Sequence, residues 1–94
     1  MSNRDKYPWV WDVDMDKATF ERILNGGTER PGYDWVWAMV RLVEYASWAD
    51  IRELLPRDRF LAHWPEVAPR VRSDMSREGM DFVHAKLLAR QQAR

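Results

Sequence analysis

Asp34-Trp35-Val36-Trp37-Ala38-Met39-Val40-Arg41-Leu42-Val43-Glu44-Tyr45-Ala46 is apolar almost all round, and only Arg41 and Glu44 interrupt it. A helix of that composition must be covered on most of its circumference, so the stretch predicts a central, buried helix with the rest of the chain packed about it. Helical spacing puts Trp37, Arg41 and Glu44 on one stripe, opposite the row Val36, Val40 and Val43.

Downstream, Ser47-Trp48-Ala49-Asp50 has the form of a capping box with Asp in the place of Glu. It opens a third helix through Ile51, Leu54 and Leu55, which Pro56 terminates. Asp58 is placed to cap a fourth helix bearing Phe60, Leu61 and Trp64. A residue before proline is pushed out of the α region, which ends that helix before Pro65 and leaves a turn or a single helical turn from Pro65 to Pro69. Ser76-Arg77-Glu78-Gly79 resembles a helix start, and Met80, Val83, His84, Leu87 and Leu88 then follow the i, i+3, i+4, i+7, i+8 pattern of a fifth helix. Residues 91–94 are expected to fray.

Upstream, residues 25–32 hold three glycines and Pro31, the clearest loop in the chain. Before it, Asp14 or Asp16 can cap a first helix carrying Phe20, Ile23 and Leu24. Tyr7-Pro8-Trp9-Val10-Trp11-Asp12-Val13 alternates, and with Pro8 opposing a helix it reads as an extended arm that inserts its indoles into the helical body. The fold class is therefore all-α, a compact bundle of about five short helices with an extended Trp-rich N-terminal arm. Residues 1–6 are expected to be a disordered N-terminus and residues 7–94 a single helical domain.

The composition agrees with a folded chain: of 94 residues, 46% are hydrophobic and 32% charged. There is no cysteine, which removes disulfides and thiolate chemistry and fits a reducing compartment. The charged start at Arg4, Asp5 and Lys6 leads into no apolar leader, and no run approaches the ~20 apolar residues of a membrane span. Cytoplasmic localisation without membrane contact is the expectation. Fifteen basic and fifteen acidic residues cancel overall, but residues 1–50 hold six Lys/Arg against nine Asp/Glu and residues 51–94 hold nine against six.

No constellation of catalytic side chains stands out, and no cofactor is expected. Asp12, Asp14 and Asp16 resemble the opening ligands of a calcium loop, but Lys17 stands where glycine is needed and Ile23 where the bidentate glutamate is needed. The two imidazoles, His63 and His84, have no partner at metal-binding spacing. None of Ser2, Ser47, Ser73 and Ser76 lies in a Gly-x-Ser-x-Gly elbow. Helix capping and structural packing account for these residues, and the chain reads as a non-enzyme.

Six tryptophans are the most informative feature. Trp37 shares its stripe with Arg41 and Glu44, and Trp and Arg dominate interface hot spots. Together with Trp9, Trp11 and Trp48 they form a candidate surface for another protein or for self-association. The same stripe would equally suit a groove in which the arm lays Trp9 or Trp11 over Trp37, and both readings stand at this point. A second function class is a nucleic-acid-binding regulator gripping phosphates with Arg57, Arg59, Arg70, Arg72 and Arg77, although acidic residues interleave with them.

Val10-Trp11-Asp12-Val13-Asp14, then Phe20-Glu21-Arg22-Ile23-Leu24-Asn25-Gly26, then Asp34-Trp35, Leu42, Tyr45 and Ile51-Arg52-Glu53-Leu54-Leu55 carry a likeness over residues 10–55. In these the chain resembles a group of small uncharacterised bacterial proteins with a Trp-Asp-x-Asp opening and an Asp-Trp helix, often regarded as antitoxin-like partners of nucleotidyltransferase-type toxins. The resemblance implies a regulatory partner of a larger protein and supplies no catalytic residue.

Overall fold

A computed structural model describes residues 6–28 and 30–93, and among these there is no β-strand. Five α-helices follow one another: α1 (Lys17–Leu24), α2 (Trp35–Tyr45), α3 (Trp48–Leu54), α4 (Arg57–Val67) and α5 (Asp74–Gln92). The apolar stretch forms the central helix as expected. α2 packs against the N-terminal arm, α1, α4 and α5, and it buries Ala38, Met39, Leu42 and Val43 while Trp35, Val36, Trp37 and Val40 are partly covered.

Short polar side chains start most of these helices by accepting a backbone N–H that has no intrahelical partner. Asp16 accepts from Thr19 N at 2.9 Å, Asp34 from Trp37 N at 2.9 Å and Ser47 from Asp50 N at 3.2 Å. Ser47 Oγ also donates to Asp50 Oδ2 at 3.1 Å, so Asp50 engages the cap through the Ser47 hydroxyl. At the far end of α1 the chain turns at Gly26, whose φ of 103° favours glycine. A Cβ there would sit 2.5 Å from Arg59 Nη2, because that guanidinium donates to Asn25 O at 3.2 Å and closes the loop against α4.

Three expectations need correction. The arm packs on the helical body but is not extended throughout. Residues Pro8–Val10 make a 3-10 turn that buries Trp9 and Val10 and turns Trp11 outward. Proline suits the first position of a helical turn, where its missing N–H costs nothing. Alternation holds only further along, where Val13 and Met15 are buried between exposed Asp12, Asp14 and Asp16. Secondly, α5 begins at Asp74 instead of Ser76, with Ser73 Oγ accepting from Ser76 N at 3.2 Å, and it continues through Gln92 where fraying was expected. The expected disorder of residues 1–6 falls, for residues 1–5, outside the described residues.

The third correction concerns Pro65. α4 starts directly after Pro56, without Asp58 as its cap, and runs past Pro65 to Val67. A proline inside a helix deprives the carbonyl four residues earlier of its donor. That carbonyl belongs to Leu61, and His84 Nε2 on α5 lies 3.1 Å from it. Since a carbonyl only accepts, His84 carries its proton on Nε2 and supplies the bond that proline cannot. The same ring meets Phe60 edge-on at 5.4 Å. His84→Phe, which keeps a ring and removes the donor, is expected to cost about 1 kcal/mol in urea unfolding. In a Pro65→Ala background the new Ala N–H reaches Leu61 O, and the same substitution should then cost close to nothing. Equal costs in the two backgrounds would contradict the pairing.

Candidate interaction surface

Arg41 is the centre of the stripe singled out in α2. Its Nη1 donates to Asp12 Oδ1 at 2.7 Å and to Trp9 O at 3.2 Å, and its Nη2 donates to Asp12 Oδ2 at 3.3 Å. The guanidinium lies over three rings, with 4.9 Å to Trp11, 5.3 Å to Trp37 and 5.8 Å to Tyr45. Such a fork satisfies a carboxylate bidentately while its flat faces stack on indoles. Arg41 therefore fastens the arm to the bundle. Around it, Tyr7 stacks on Trp9 at 4.4 Å and donates to Glu21 Oε2 at 2.5 Å. Burial first, and then the neighbouring Glu21 carboxylate, push the Tyr7 ionisation above its ordinary range, so it remains a donor.

Four of the six residues predicted to bind a partner are thus engaged within the chain. Trp9 is buried. Trp37 is partly covered by Tyr33 at 4.8 Å, Phe20 at 6.0 Å and the Arg41 guanidinium, with Arg41 between it and Trp11. Glu44 accepts from the backbone N–H of Arg72 and ties the segment before α5 to α2. The arm reading is the one realised for this stripe, with the guanidinium as its intermediary.

Trp11 and Trp48 are different, at 59% and 51% exposure. Trp11 stands edge-on to Tyr45 at 5.0 Å over the Arg41 clamp. Trp48, the first residue of α3, faces α5, where Met75 and Phe82 are 84% and 64% exposed. Trp48, Met75, Gly79 and Phe82 line one shallow depression floored by Met80 and Val83. Met75 and Phe82 were not singled out from the sequence because they lie off the stripe that packs α5 inward. A signal existed nonetheless: Met75, Gly79 and Phe82 recur at four and three residues, a second apolar line on one helix.

Gly79 is the unusual member of that line. A glycine in mid-helix costs about 0.8–1 kcal/mol relative to alanine, and a Cβ at this position would meet nothing within 4 Å. Packing inside the chain does not require it. Gly79→Ala is accordingly expected to raise the unfolding free energy by about 0.8 kcal/mol, read from the urea midpoint. A destabilised variant would mean that the bare backbone serves the fold.

The arginines of the nucleic-acid reading do not gather in one place. Arg59 closes the 25–32 loop and lies over Trp35 at 5.5 Å. Arg77 donates to Val71 O at 3.2 Å and pairs with Asp74 at 2.6 Å. Arg57 opens α4, whereas Arg70 and Arg72 follow its other end, on the order of 15 Å away at 1.5 Å per helical residue.

The acidic triplet is likewise dispersed. Asp12 serves Arg41, Asp16 caps α1, and Asp14 contributes its backbone carbonyl to Arg30 Nη1 at 3.0 Å. No group of three potential metal ligands occurs among the described residues. His63 Nδ1 meets Glu66 Oε2 at 2.7 Å, with its ring 5.0 Å from Trp35. The Arg41 hydrogen bond holds Asp12 below the usual carboxylate range, and the Thr19 hydrogen bonds do the same for Asp16. A carboxyl group whose pKa is lowered on folding stabilises the protein above its unfolded value of about 4 and loses that contribution as pH falls through the folded value. Urea midpoints should therefore hold between about pH 7 and 5 and drop below about pH 4, and Asp12→Asn together with Asp16→Asn should make that drop shallower. An unchanged acid limb would contradict these assignments.

No helix among the described residues is long and apolar enough to cross a membrane. No protein-family model, curated sequence or solved structure matches this chain.

Proposed function

We propose that this protein is a non-catalytic protein-interaction module that docks on its partner through the face shared by the start of α3 and the middle of α5. The supporting observation is that Trp48, Met75 and Phe82 stand exposed around Gly79 while the larger part of the aromatic set is engaged internally. Burying one large apolar side chain stabilises by about 1.5–3 kcal/mol. Three such side chains largely left in water on one face offer that gain to a complex that covers them. The likeness to antitoxin-like proteins gives this role a form, a regulatory partner of a larger protein.

Trp48→Ala combined with Phe82→Ala is expected to leave the chain folded and to abolish a stable complex isolated with the wild-type chain from its native cells. Trp11→Ala, at the exposed edge of the arm clamp, serves as the comparison and should retain the complex. Retention by the double variant, or no protein complex with any version, would count against the reading.

A further inference from the structure

Beside the depression at Gly79 a longer groove runs between α3 and the C-terminal half of α5. Its apolar surface comes from Trp48, Ile51 and Leu55 on one side and Phe82, Val83 and Leu87 on the other. Its charges are one-sided: Arg52, Arg57, Lys86 and Arg90 line it against the single acid Glu53. Among the described residues none of these four cations has a carboxylate within ion-pair distance. Lys86 lies over the Phe82 ring at 5.5 Å, the only ring contact among the four. Arg41 and Arg77, by contrast, pair with Asp12 and Asp74.

We infer that this groove receives an acidic amphipathic helix of another protein, an inference that rests on the protein-interaction role above. From Phe82 to Arg90 the wall of α5 extends about 12 Å at 1.5 Å per residue, room for about two turns of a docked helix. A helix of that length presents apolar side chains at i, i+3, i+4 and i+7 to the floor and carboxylates along its flanks to the four cations. A second copy of this chain fits poorly, since a twofold contact would set Lys86 and Arg90 against their own duplicates. Nucleic acid fits poorly because the floor offers phosphates and sugars apolar side chains instead of donors.

The probe is a peptide of about 14 residues with leucine at i, i+3, i+4 and i+7 and glutamate and alanine elsewhere. It is titrated into the isotopically labelled full chain and followed by NMR. Shifts are expected at the Trp48 indole, Val83, Lys86, Leu87 and Arg90. The affinity should fall about tenfold or more in the Lys86→Glu, Arg90→Glu variant and weaken as salt rises from about 50 to 500 mM. A scrambled glutamate peptide binding equally, or no shift with the acidic peptide, overturns the inference. A lysine-for-glutamate peptide docking on these residues overturns the charge assignment and leaves the protein-interaction role standing. Shifts at the same residues with a single-stranded oligonucleotide or anionic lipid vesicles, and with no peptide, overturn both. Concentration-dependent shifts of the unliganded chain at these residues would assign the groove to a second copy.

Discussion

Replacing Trp64 with alanine is expected to cost about 3–5 kcal/mol, the range for a fully buried large aromatic. Trp64 is 2% exposed, its ring lies 5.3 Å from Phe60, and Nε1 donates to Asp81 Oδ1 at 2.7 Å. It therefore fills the space between α4 and α5 and fixes one helix to the other in the same side chain. A domain of this length has about 5–14 kcal/mol of total stability, so the loss is between about a fifth of the whole and all of it. Thermal unfolding should move down by at least about 12 °C, at 4–8 °C per kcal/mol. Trp64→Phe separates the contributions: it keeps most of the volume, loses the bond to Asp81, and should cost about 1–2 kcal/mol. A change under 1 kcal/mol in Trp64→Ala would mean that α4 and α5 do not meet as described.

Arg41→Ala should also be strongly damaging for a surface cation, at about 2–4 kcal/mol. Its guanidinium is 18% exposed and holds Asp12, the Trp9 carbonyl and two indoles at once. A charge-assisted bond contributes about 1.5–3 kcal/mol and a stacked cation about 0.5–1 kcal/mol, and such contributions within one cluster do not simply add. Arg41→Lys keeps the charge and loses the fork and the flat face, so it should restore less than half of the loss. The damage should be local to the arm. Hydrogen exchange at the Val10 amide, which donates to Tyr7 O at 3.1 Å, should accelerate far more than exchange in α2. Uniform acceleration would place Arg41 in the general core and contradict its role as the fastening of the arm.

The fold was largely legible because helix starts and apolar stripes are local signals. Asp16, Asp34 and Ser47 cap as their residue types predict, and the stretch from Asp34 to Ala46 forms the central helix. Pro65 was misread because the donor to the Leu61 carbonyl it leaves bare, His84, lies 23 residues from Leu61 on another element. Sequence spacing carries no record of such a pairing. The first turn of the arm was missed for a related reason. Alternation from Trp9 to Val13 fits an extended segment, but such a segment leaves its backbone without partners, and a 3-10 turn bonded from Val10 N to Tyr7 O supplies one bond locally.

The candidate surface was only partly legible. Trp48 was visible because it follows just beyond the end of the apolar helix that carries Trp37, Arg41 and Glu44. Trp37 and Arg41 were correctly placed on one face, but whether the arm or solvent would meet that face depends on the Asp12–Arg41 pair, a contact across 29 residues. Met75 and Phe82 belong to a second apolar line on α5 that competes with the inward line through Met80, Val83 and Leu87. Which of two lines turns inward is decided by what α2 and α4 offer to pack against.

The most direct measurement places a photoreactive benzoylphenylalanine at position 82 and irradiates intact cells that express the chain at its native level. A discrete protein adduct that disappears when Trp48 is also replaced by alanine is the predicted result. Adducts formed only with nucleic acid or lipid, or an equally strong protein adduct from a probe at exposed Ala18 on α1, would contradict it.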